Sequence, residues 1–301
     1  MDDSGQVAER FQQQRSHLRG VAYRMLGSIS DADDAVQETW WRFSQSDSGE
    51  VKNLQAWLTT IVSRVSLNML RARKSHPEVW IETHVPDPVV SLAEGADPEQ
   101  QALIGDSIGL ALLVVLETLA PAERLAFVLH DVFAVSFEEI SLIVDRSPAA
   151  ARQLASRARR QVRDQAPVPD PDLTRQREAV DAFFAASHDG DFDRLVAVLD
   201  PDVVLRSDGG TRSTSVVIHG PEAVGARALS FSQLAPHVKP ALVNGAAGVV
   251  VVRRGRPFSV MGFTVARSRI VQINVLSDAQ RLRDLDLPVL DQRRLASAPR
   301  T

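Results

Sequence analysis

The chain has 301 residues, of which 44% are hydrophobic and 24% charged, so it has the composition of a folded protein with room for about two ordinary domains. Its formal net charge of -4 argues against a surface that grips nucleic acid indiscriminately. The sequence contains no cysteine, which excludes disulfides and thiolate metal sites, and no apolar run approaches the ~20 residues that span a bilayer. Because the first residues also lack a secretory signal pattern, we predict a cytoplasmic protein with no membrane association, and we expect no cofactor or bound metal.

The first 75 residues have the pattern of an all-helical domain, which we place at residues 1–75. Apolar residues recur at helical spacing in three stretches, with a break near Gly27 to Ser30. The third stretch runs from about Leu54 to Lys74, and Pro77 lies just beyond it, where a helix is expected to stop. The second stretch carries four acids and no base between Asp31 and Glu38, so one helix has an acidic face.

An acidic, proline-containing linker is expected at residues 76–100. Four prolines among six acids favour extended chain over packed helix in this segment. Helical signals return at residues 101–166 and stop at the proline-rich stretch from Ala166 to Pro171. Within this second helical segment, the stretch from Asp145 to Arg163 holds six arginines and one acid, so it is locally basic.

Residues 136–157 have the pattern of a helix-turn-helix. Ser136 with Glu139 three residues later forms a capping box, and Ser147 followed by Pro148 marks a second helix start after a short turn. Arginine and glutamine on the outward face of the second helix can each bond two atoms of a base edge in a major groove. The candidate residues are Arg152, Gln153, Ser156, Arg157 and Arg160. A plain helical hairpin with a basic solvent face is the alternative.

Residues 172–290 change from a helical to a mixed pattern. A helix is expected from Arg175 to Leu199, and short β-branched runs follow it, several of them separated by glycine turns. The predicted strands are Val203 to Leu205, Val216 to Ile218, Val249 to Val252, Phe258 to Val265 and Ile270 to Leu276. We therefore predict a multidomain fold, in which two all-α domains are followed by an α+β domain with one curved antiparallel sheet folded around a helix pair.

The acidic helix resembles a known family motif. The run from Asp31 to Arg42, DADDAVQETWWR, is similar to the polymerase-binding helix of domain 2 (σ2) in extracytoplasmic-function (ECF) sigma factors of the sigma-70 family. The resemblance implies that bacterial core RNA polymerase is a partner, bound through the clamp of its large subunit. The residues that it assigns to this contact are Asp33, Asp34, Gln37, Glu38 and Trp41.

Two further segments resemble the promoter-reading parts of the same family, so promoter DNA is the second implied partner. The helix from Leu54 to Arg73 is similar to the one that opens and reads the -10 element, and the helix-turn-helix is similar to domain 4 (σ4), which reads the -35 element. The -10 candidates are Arg64, Asn68, Arg71, Arg73 and Lys74, which supply cations for phosphates and polar groups for an extruded base. In the family the linker threads the polymerase cleft, where carboxylates can imitate phosphates, and a solvated spacer is the alternative.

The tail resembles a SnoaL-like domain of the nuclear-transport-factor-2 superfold, and the whole chain therefore resembles the subgroup of ECF sigma factors that carries such a tail. The subgroup's Trp-Leu-Pro-Glu-Pro element is partly matched by residues 84–88, and its Asp-Gly-Gly-Gly-Lys element is partly matched by residues 208–212. The resemblance implies that the tail regulates in cis, without a separate anti-sigma factor. The residues that it assigns to this interdomain contact are Pro86, Asp87, Pro88, Asp208, Gly209 and Gly210.

Two other functions stay open from the residues. A ligand-responsive helix-turn-helix transcription regulator would share the DNA-reading helix and a ligand-binding tail. Alternatively, the tail is a small-molecule isomerase or cyclase, for which Asp208 and His219 are the only acid–base pair that we nominate, although both positions are more typical of turns. Because the superfold often encloses an apolar cavity, a small-molecule ligand remains a possible partner of the tail.

Overall fold

The computed structural model describes residues 3–46, 53–74, 83–92, 109–210 and 215–290. These residues form two compact units. The helical unit contains described residues 3–46, 53–74 and 115–165, and the tail unit contains described residues 83–92, 109–114 and 166–290. The remainder of the predicted linker, and the Thr211 and Arg212 positions of the second motif, lie outside the described residues.

The first half of the helical unit is a bundle of three helices: α1 (Asp3–Leu26), α2 (Ile29–Ser44) and α3 (Leu54–Lys74). Gly27, at a φ of 67°, ends α1, and the Ser28 hydroxyl caps α2 by accepting a hydrogen bond from the Asp31 amide at 3.3 Å. The predicted break between the first two helices therefore lies where the sequence indicates. Fully buried core side chains of the bundle include Leu18, Met25, Leu26, Phe43, Leu58 and Leu67.

The second half of the helical unit contains the predicted helix-turn-helix. Helix α4 (Leu110–Thr118), of which residues 115–118 belong to this unit, and helix α5 (Pro121–Phe127) come first, and α5 continues as a π-helical turn over Val128–Val132. Helices α6 (Phe137–Val144) and α7 (Pro148–Gln165) then follow.

Each helix of the helix-turn-helix begins with the cap that the sequence predicts. The Ser136 hydroxyl accepts from the Glu139 amide at 3.2 Å while the Glu139 carboxylate accepts from the Ser136 amide at 3.1 Å. Asp145 ends α6 in the left-handed region, with a φ of 55°, and the Ser147 hydroxyl accepts from the Ala150 amide at 3.2 Å. The turn is therefore three residues long and capped on both sides.

A buried arginine joins the two halves of the helical unit. Arg124 pairs with Glu117 at 2.9 Å, and its Nε and Nη2 both donate to the Arg24 carbonyl at 3.2 Å. Arg24 lies in the last turn of α1, where helix carbonyls have no partner within the helix. The guanidinium of Arg124 satisfies one of these carbonyls and so ties α5 to the end of α1.

The tail unit is an α+β domain. Its helices are α8 (Leu173–Asp189), α9 (Phe192–Val198), α10 (Pro221–Leu229) and α11 (Arg281–Asp284). Its strands are β1 (Val90–Ser91), β2 (Leu199–Asp208), β3 (Val216–His219), β4 (Val238–Val243), β5 (Ala246–Arg253), β6 (Arg256–Ala266) and β7 (Arg269–Leu276). The predicted order of two all-α domains and an α+β domain is thus confirmed.

The sheet differs from the prediction in one pairing. The strand order is β1-β4-β5-β6-β7-β2-β3, and all neighbours are antiparallel except β2 and β7, which run parallel. Parallel neighbours need a long connection, and here the chain leaves β2 and passes through four other strands, β3 to β6, before it forms β7. The single predicted helix from Arg175 to Leu199 is also wrong, because Gly190 ends α8 at a φ of 72° and Asp191 caps α9.

The linker supplies a strand of this sheet. β1 pairs with β4 through Val90 opposite Val243 and Ser91 opposite Leu242. Beside it, the side-chain oxygen of Asn244 accepts from the Val89 backbone amide at 3.1 Å, and the backbone amide of Asn244 donates to the Val89 carbonyl at 2.8 Å. Residues 85–91 are all buried, so the solvated-spacer interpretation is wrong for this stretch.

Within the described residues, no helix has both the length and the hydropathy that crossing a bilayer requires.

We predict that Asn244→Ala loosens the β1–β4 edge. Asn244 has a φ of 50° and Gly245 a φ of 78°, which suits a two-residue hairpin turn, and alanine tolerates that region poorly while losing the bond to Val89. The expected loss in unfolding free energy is about 1–3 kcal/mol, measured by denaturant unfolding, with faster hydrogen exchange at the Val89 amide. Asn244→Gly removes the side-chain bond to Val89 without adding backbone strain. It should therefore lose less stability than Asn244→Ala but increase hydrogen exchange at the Val89 amide equally. Unchanged exchange at Val89 in both variants would contradict the assignment.

Candidate functional sites

The predicted core-binding residues lie on α2, whose buried face is formed by Ala32, Ala35, Val36, Thr39 and Phe43. Asp34, Gln37 and Trp41 are exposed, and their spacing of three and four places them on one stripe of the helix. Trp41 is 60% exposed, which is unusual for so large an apolar ring. The other two are paired: Asp33 accepts from Arg19 at 2.6 and 3.0 Å, and Glu38 accepts from Arg42 at 2.9 Å.

The predicted -10 residues divide into two groups on α3. Arg64, Asn68 and Arg71 follow one exposed stripe, at a spacing of four and three. Arg73 instead donates to the Leu26 carbonyl at 2.9 Å and pairs with Asp31, so it holds the end of α1 and the start of α2. The side chain of Lys74 lies outside the described residues. Part of the Arg64 guanidinium is also engaged, because its Nη2 donates to the Leu142 carbonyl of α6 at 2.8 Å.

The predicted -35 residues share the outer face of α7. The buried face of this helix consists of Ala151, Leu154, Ala155 and Ala158. The exposed face consists of Arg152, Gln153, Ser156, Arg157 and Arg160. Arg152 lies over the Phe137 ring at 5.0 Å, and Arg157 donates to Glu123 at 2.6 Å. Two of the arginines are therefore oriented by neighbouring helices while they remain accessible.

The predicted interdomain residues meet in the tail unit, around a cation that the sequence analysis missed. Arg281 donates to Asp87 Oδ1 from Nε at 2.8 Å and from Nη2 at 2.5 Å, and from Nη1 to Asp208 Oδ2 at 2.8 Å. Its Nη2 also donates to the Val85 carbonyl at 2.6 Å, while the Val85 amide donates to Asp208 Oδ2 at 3.1 Å. We call Val85, Asp87, Asp208 and Arg281 the linker anchor. Pro86 and Pro88 are buried beside it.

Chain turns place the anchor groups. Asp208 ends β2, and its other carboxylate oxygen accepts from the Gly210 amide at 3.0 Å. Asp278 accepts from the Arg281 amide at 2.8 Å and so sets the start of α11. Gly210 has a φ of 67°, and a Cβ there would collide with the Asp278 carboxylate, so only glycine fits. The neighbouring Gly209 amide donates to the Ser215 hydroxyl at 3.1 Å.

Burial and charge act in opposite directions on Asp208, which is only 2% exposed. Burial alone would raise the pKa of its carboxyl group. Contact with the His84 imidazole, whose Nδ1 is 3.2 Å from Asp208 Oδ2, the amides of Val85 and Gly210, and the charge of Arg281 together lower the pKa to about 2. The carboxylate is therefore ionised at neutral pH and committed to holding the linker.

A cavity of about 250 Å³ lies elsewhere in the tail unit, between α8, α10 and the sheet. Its walls are mainly apolar, and neither of the nominated acid–base residues lines it. Asp208 is in the linker anchor, and His219 is exposed at the end of β3. The structure does not bring this pair to the cavity.

We predict a pH signature for Asp208. A carboxyl whose folded pKa is lowered from 3.8 to about 2 adds stability that is fully present above its unfolded pKa and is lost as the pH falls toward 2. The stability difference between the wild type and Asp208→Asn should therefore be level from pH 7 to about 5 and shrink below about 4. Urea unfolding followed by circular dichroism measures it. Asp181→Asn, at an exposed position of α8, is the control and should differ little from wild type throughout; a wild type–Asp208→Asn difference that does not shrink would contradict the assignment.

Comparison with known proteins places these surfaces in a family. The family model of sigma-70 region 2 matches residues 11–76, and that of sigma-70 region 4 matches residues 109–162. The ECF RNA polymerase sigma factor SigJ of Mycobacterium tuberculosis is 39% identical over 274 residues, which cover 88% of this chain and 86% of SigJ. A protein described as the probable ECF RNA polymerase sigma factor SigI, of the same species, is 30% identical and covers 92% of this chain and 94% of its own length.

A solved structure agrees over almost the whole chain. The crystal structure of M. tuberculosis SigJ matches with a TM-score of 0.76 at 33% identity, covering 93% of this chain and 99% of that one. These comparisons favour neither the ligand-responsive regulator nor the isomerase or cyclase alternative. The chain therefore belongs to the extracytoplasmic-function RNA polymerase sigma factors of the sigma-70 family.

Proposed function

We propose that this sigma factor binds bacterial core RNA polymerase and directs it to promoters with a two-part upstream sequence, and that its tail regulates this activity in cis. The observation that carries the proposal is the outer face of α7, where three arginines, a glutamine and a serine follow a capped three-residue turn. Such a helix suits a major groove, because arginine and glutamine can each bond two base-edge atoms. The similarity to SigJ and SigI, which are described as an ECF RNA polymerase sigma factor and a probable one, supports the same role.

Each of the three exposed surfaces has a different binding role in this proposal. The α2 stripe of Asp34, Gln37 and Trp41 offers acid and an aromatic face to a basic partner surface, which suits the polymerase clamp. The α3 stripe of Arg64, Asn68 and Arg71 suits a displaced strand, since cations meet phosphates and an amide meets an unpaired base. The α7 face reads the -35 element. The affinity of the isolated sigma factor for DNA need not be high, because the holoenzyme supplies further phosphate contacts. The net negative charge of the chain agrees with this.

The bond from Arg64 to the Leu142 carbonyl links α3 to the first helix of the helix-turn-helix. A phosphate that takes the same Nη2 group would have to displace this carbonyl. We therefore expect that binding of the -10 strand to Arg64 breaks the contact between α3 and α6, and that separation of these two helices makes Arg64 more available to the strand.

Regulation by the tail follows from where the linker lies. The linker joins the two sigma domains along the chain, yet its described residues form a buried strand and an ion-pair cluster in the tail unit. Any change in the tail that alters the linker anchor therefore changes the freedom of the connector. This arrangement supports control without a separate anti-sigma factor.

We propose no catalytic role for the tail. Among the described residues that line its cavity, Arg227 is the only one with an ionisable side chain, and an arginine is a poor general base at neutral pH. Asp208 could not take up a proton readily, because its surroundings favour the charged carboxylate.

The double variant Arg152→Ala, Arg157→Ala should abolish promoter-specific transcription and leave core binding intact, because both side chains lie on the groove-facing surface and outside the helical core. Run-off transcription and a core pull-down measure the two activities. Arg163→Ala on the same helix is the control, since Arg163 is exposed and, among the described residues, pairs only with the neighbouring Asp164. Equal loss of core binding in the double variant would show that the two roles are not separate.

The variant Arg281→Gln should change transcriptional output by about fivefold or more, in either direction, because it removes the guanidinium that holds Asp87 of the linker beside Asp208 of the sheet. Arg281→Lys, which keeps the charge but not the fork of donors, should have an intermediate effect. Arg283→Gln, at an exposed position of the same helix, is the matched control. Output equal to wild type in both Arg281 variants would rule out regulation through the anchor. Deleting the chain from residue 172 is a coarser test, because it would also expose the buried linker strand.

A further inference from the structure

The tail cavity has the size and lining of a small-molecule site. Aromatic and aliphatic side chains form most of its wall, including Phe183, Phe184, Phe258 and Met261. Its volume of about 250 Å³ exceeds the roughly 150 Å³ of an apolar protein cavity that holds benzene. A molecule of one to two rings would therefore fill it.

One end of the cavity is polar, because three serines meet there. Ser207 of β2 pairs with Val275 of β7, and the β6–β7 register, with Val260 opposite Leu276, places Ser259 next to Ser277. Ser259 is only 4% exposed. Within the described part of the chain, the hydroxyls of Ser207 and Ser259 have no hydrogen-bond partner, although both line the cavity. Ser259 is nearly buried and Ser207 is half-buried, and a hydroxyl that is shielded from water without a partner costs free energy, so these two groups favour an occupant that bonds with them.

The charge of the cavity restricts that occupant further. Arg227 lines it from α10, and its guanidinium lies over the Phe231 ring at 4.7 Å. Phe231 is 40% exposed, which places this pair at the opening. No carboxylate is present among the described lining residues. Neutral and anionic molecules are therefore favoured over cations.

We propose that this cavity binds a neutral or monoanionic organic molecule of one to two rings, with a hydroxyl or carbonyl group bonded to Ser259 and Ser207, and that its binding is transmitted to the linker anchor. The binding step is independent of the sigma-factor activity, whereas the transmission step rests on the proposed regulation by the tail.

The route of transmission is short. Ser207 directly precedes Asp208 in β2. Ser277 donates to the Asp208 carbonyl twice, from its amide at 2.8 Å and from its hydroxyl at 3.2 Å. Asp208, which holds Arg281 and Val85, is thus covalently linked to one cavity-lining serine, Ser207, and hydrogen bonded to another, Ser277. A ligand that displaces these serines would also displace the end of β2, where Asp208 lies.

Binding is tested with the full chain by calorimetric titration of three probes of one shape: 2-naphthol, 2-naphthoate and the cation 2-naphthylmethylammonium. The two former should bind, and the cation should bind about tenfold more weakly or not at all. Ser259→Ala should lower the affinity for 2-naphthol about three- to tenfold, since one hydrogen bond is lost. Arg227→Gln should lower the affinity for 2-naphthoate more than the affinity for 2-naphthol. Ala228→Phe, which fills the cavity from α10, should abolish binding of both.

Two controls fix the location. Thr174→Ala and Arg177→Gln remove a hydroxyl and a guanidinium from exposed positions of α8, outside the cavity lining, and should leave all affinities unchanged. Absence of binding by both 2-naphthol and 2-naphthoate would overturn the proposal, as would binding that Ser259→Ala and Ala228→Phe do not alter. If the filled variant does not fold, Ser259→Ala still decides the question.

Transmission is tested by amide hydrogen exchange of the full chain with and without saturating 2-naphthol. The exchange of the Val85 amide, which donates to Asp208, should change severalfold, and that of amides in α2 should not. Binding with unchanged exchange at Val85 would leave the site in place and overturn its link to the anchor. Hydrogen exchange does not depend on transcription, so a negative result here would be distinguishable from a failure of the proposed sigma-factor function.

Discussion

Two buried carboxylates in the tail unit share one guanidinium. Asp87 is 7% exposed and Asp208 is 2% exposed, and a buried charge without a partner is among the costliest features that a fold can carry. Arg281 pairs with both, and its Nη2 also donates to the Val85 carbonyl. Because Asp87 belongs to the linker and Asp208 to the sheet, satisfying these charges also decides where the linker runs. The strand pairing of β1 and the Asn244 contacts then extend the same attachment. A segment that joins the two sigma-70 regions along the chain is thereby built into the tail unit.

Local signals in the sequence were sufficient for the helical domains and much of the tail. Caps at Ser136 and Ser147 identified the helix-turn-helix to the residue, and helical spacing separated the exposed and buried faces of α2 and α7. Strand β4 is absent from the predicted strands, and it contains Pro240, a residue that is rare inside strands. The structure shows why it is tolerated: β1 covers only Leu242 and Val243, so among the described strands that side of Pro240 lacks a partner that needs its amide. Neither β1 nor the parallel contact of β2 with β7 has a local signal, since both depend on pairing between distant segments.

For the sites, the sequence indicated residue types and helix faces better than tertiary partners. The two partial motifs at residues 84–88 and 208–212 led to Asp87 and Asp208, whereas Arg281, about seventy residues further on, carries no motif. Only the need of two buried acids for a cation points to it, and burial is known from the fold alone. Arg73 shows the converse: its place in a basic segment predicted a DNA contact, but in the folded chain it holds the end of α1 and pairs with Asp31. Charge runs do not distinguish cations that bind a partner from cations that hold the fold.

The most direct test of a promoter-reading role is in vitro transcription with purified core RNA polymerase, with and without this protein, over a library of random upstream sequences. We expect start sites that depend on the protein and that share a two-part upstream motif, because two separate surfaces read the DNA. Start sites that do not depend on the protein, together with tight binding to a single DNA site when polymerase is absent, would contradict the sigma-factor assignment and favour a one-component regulator.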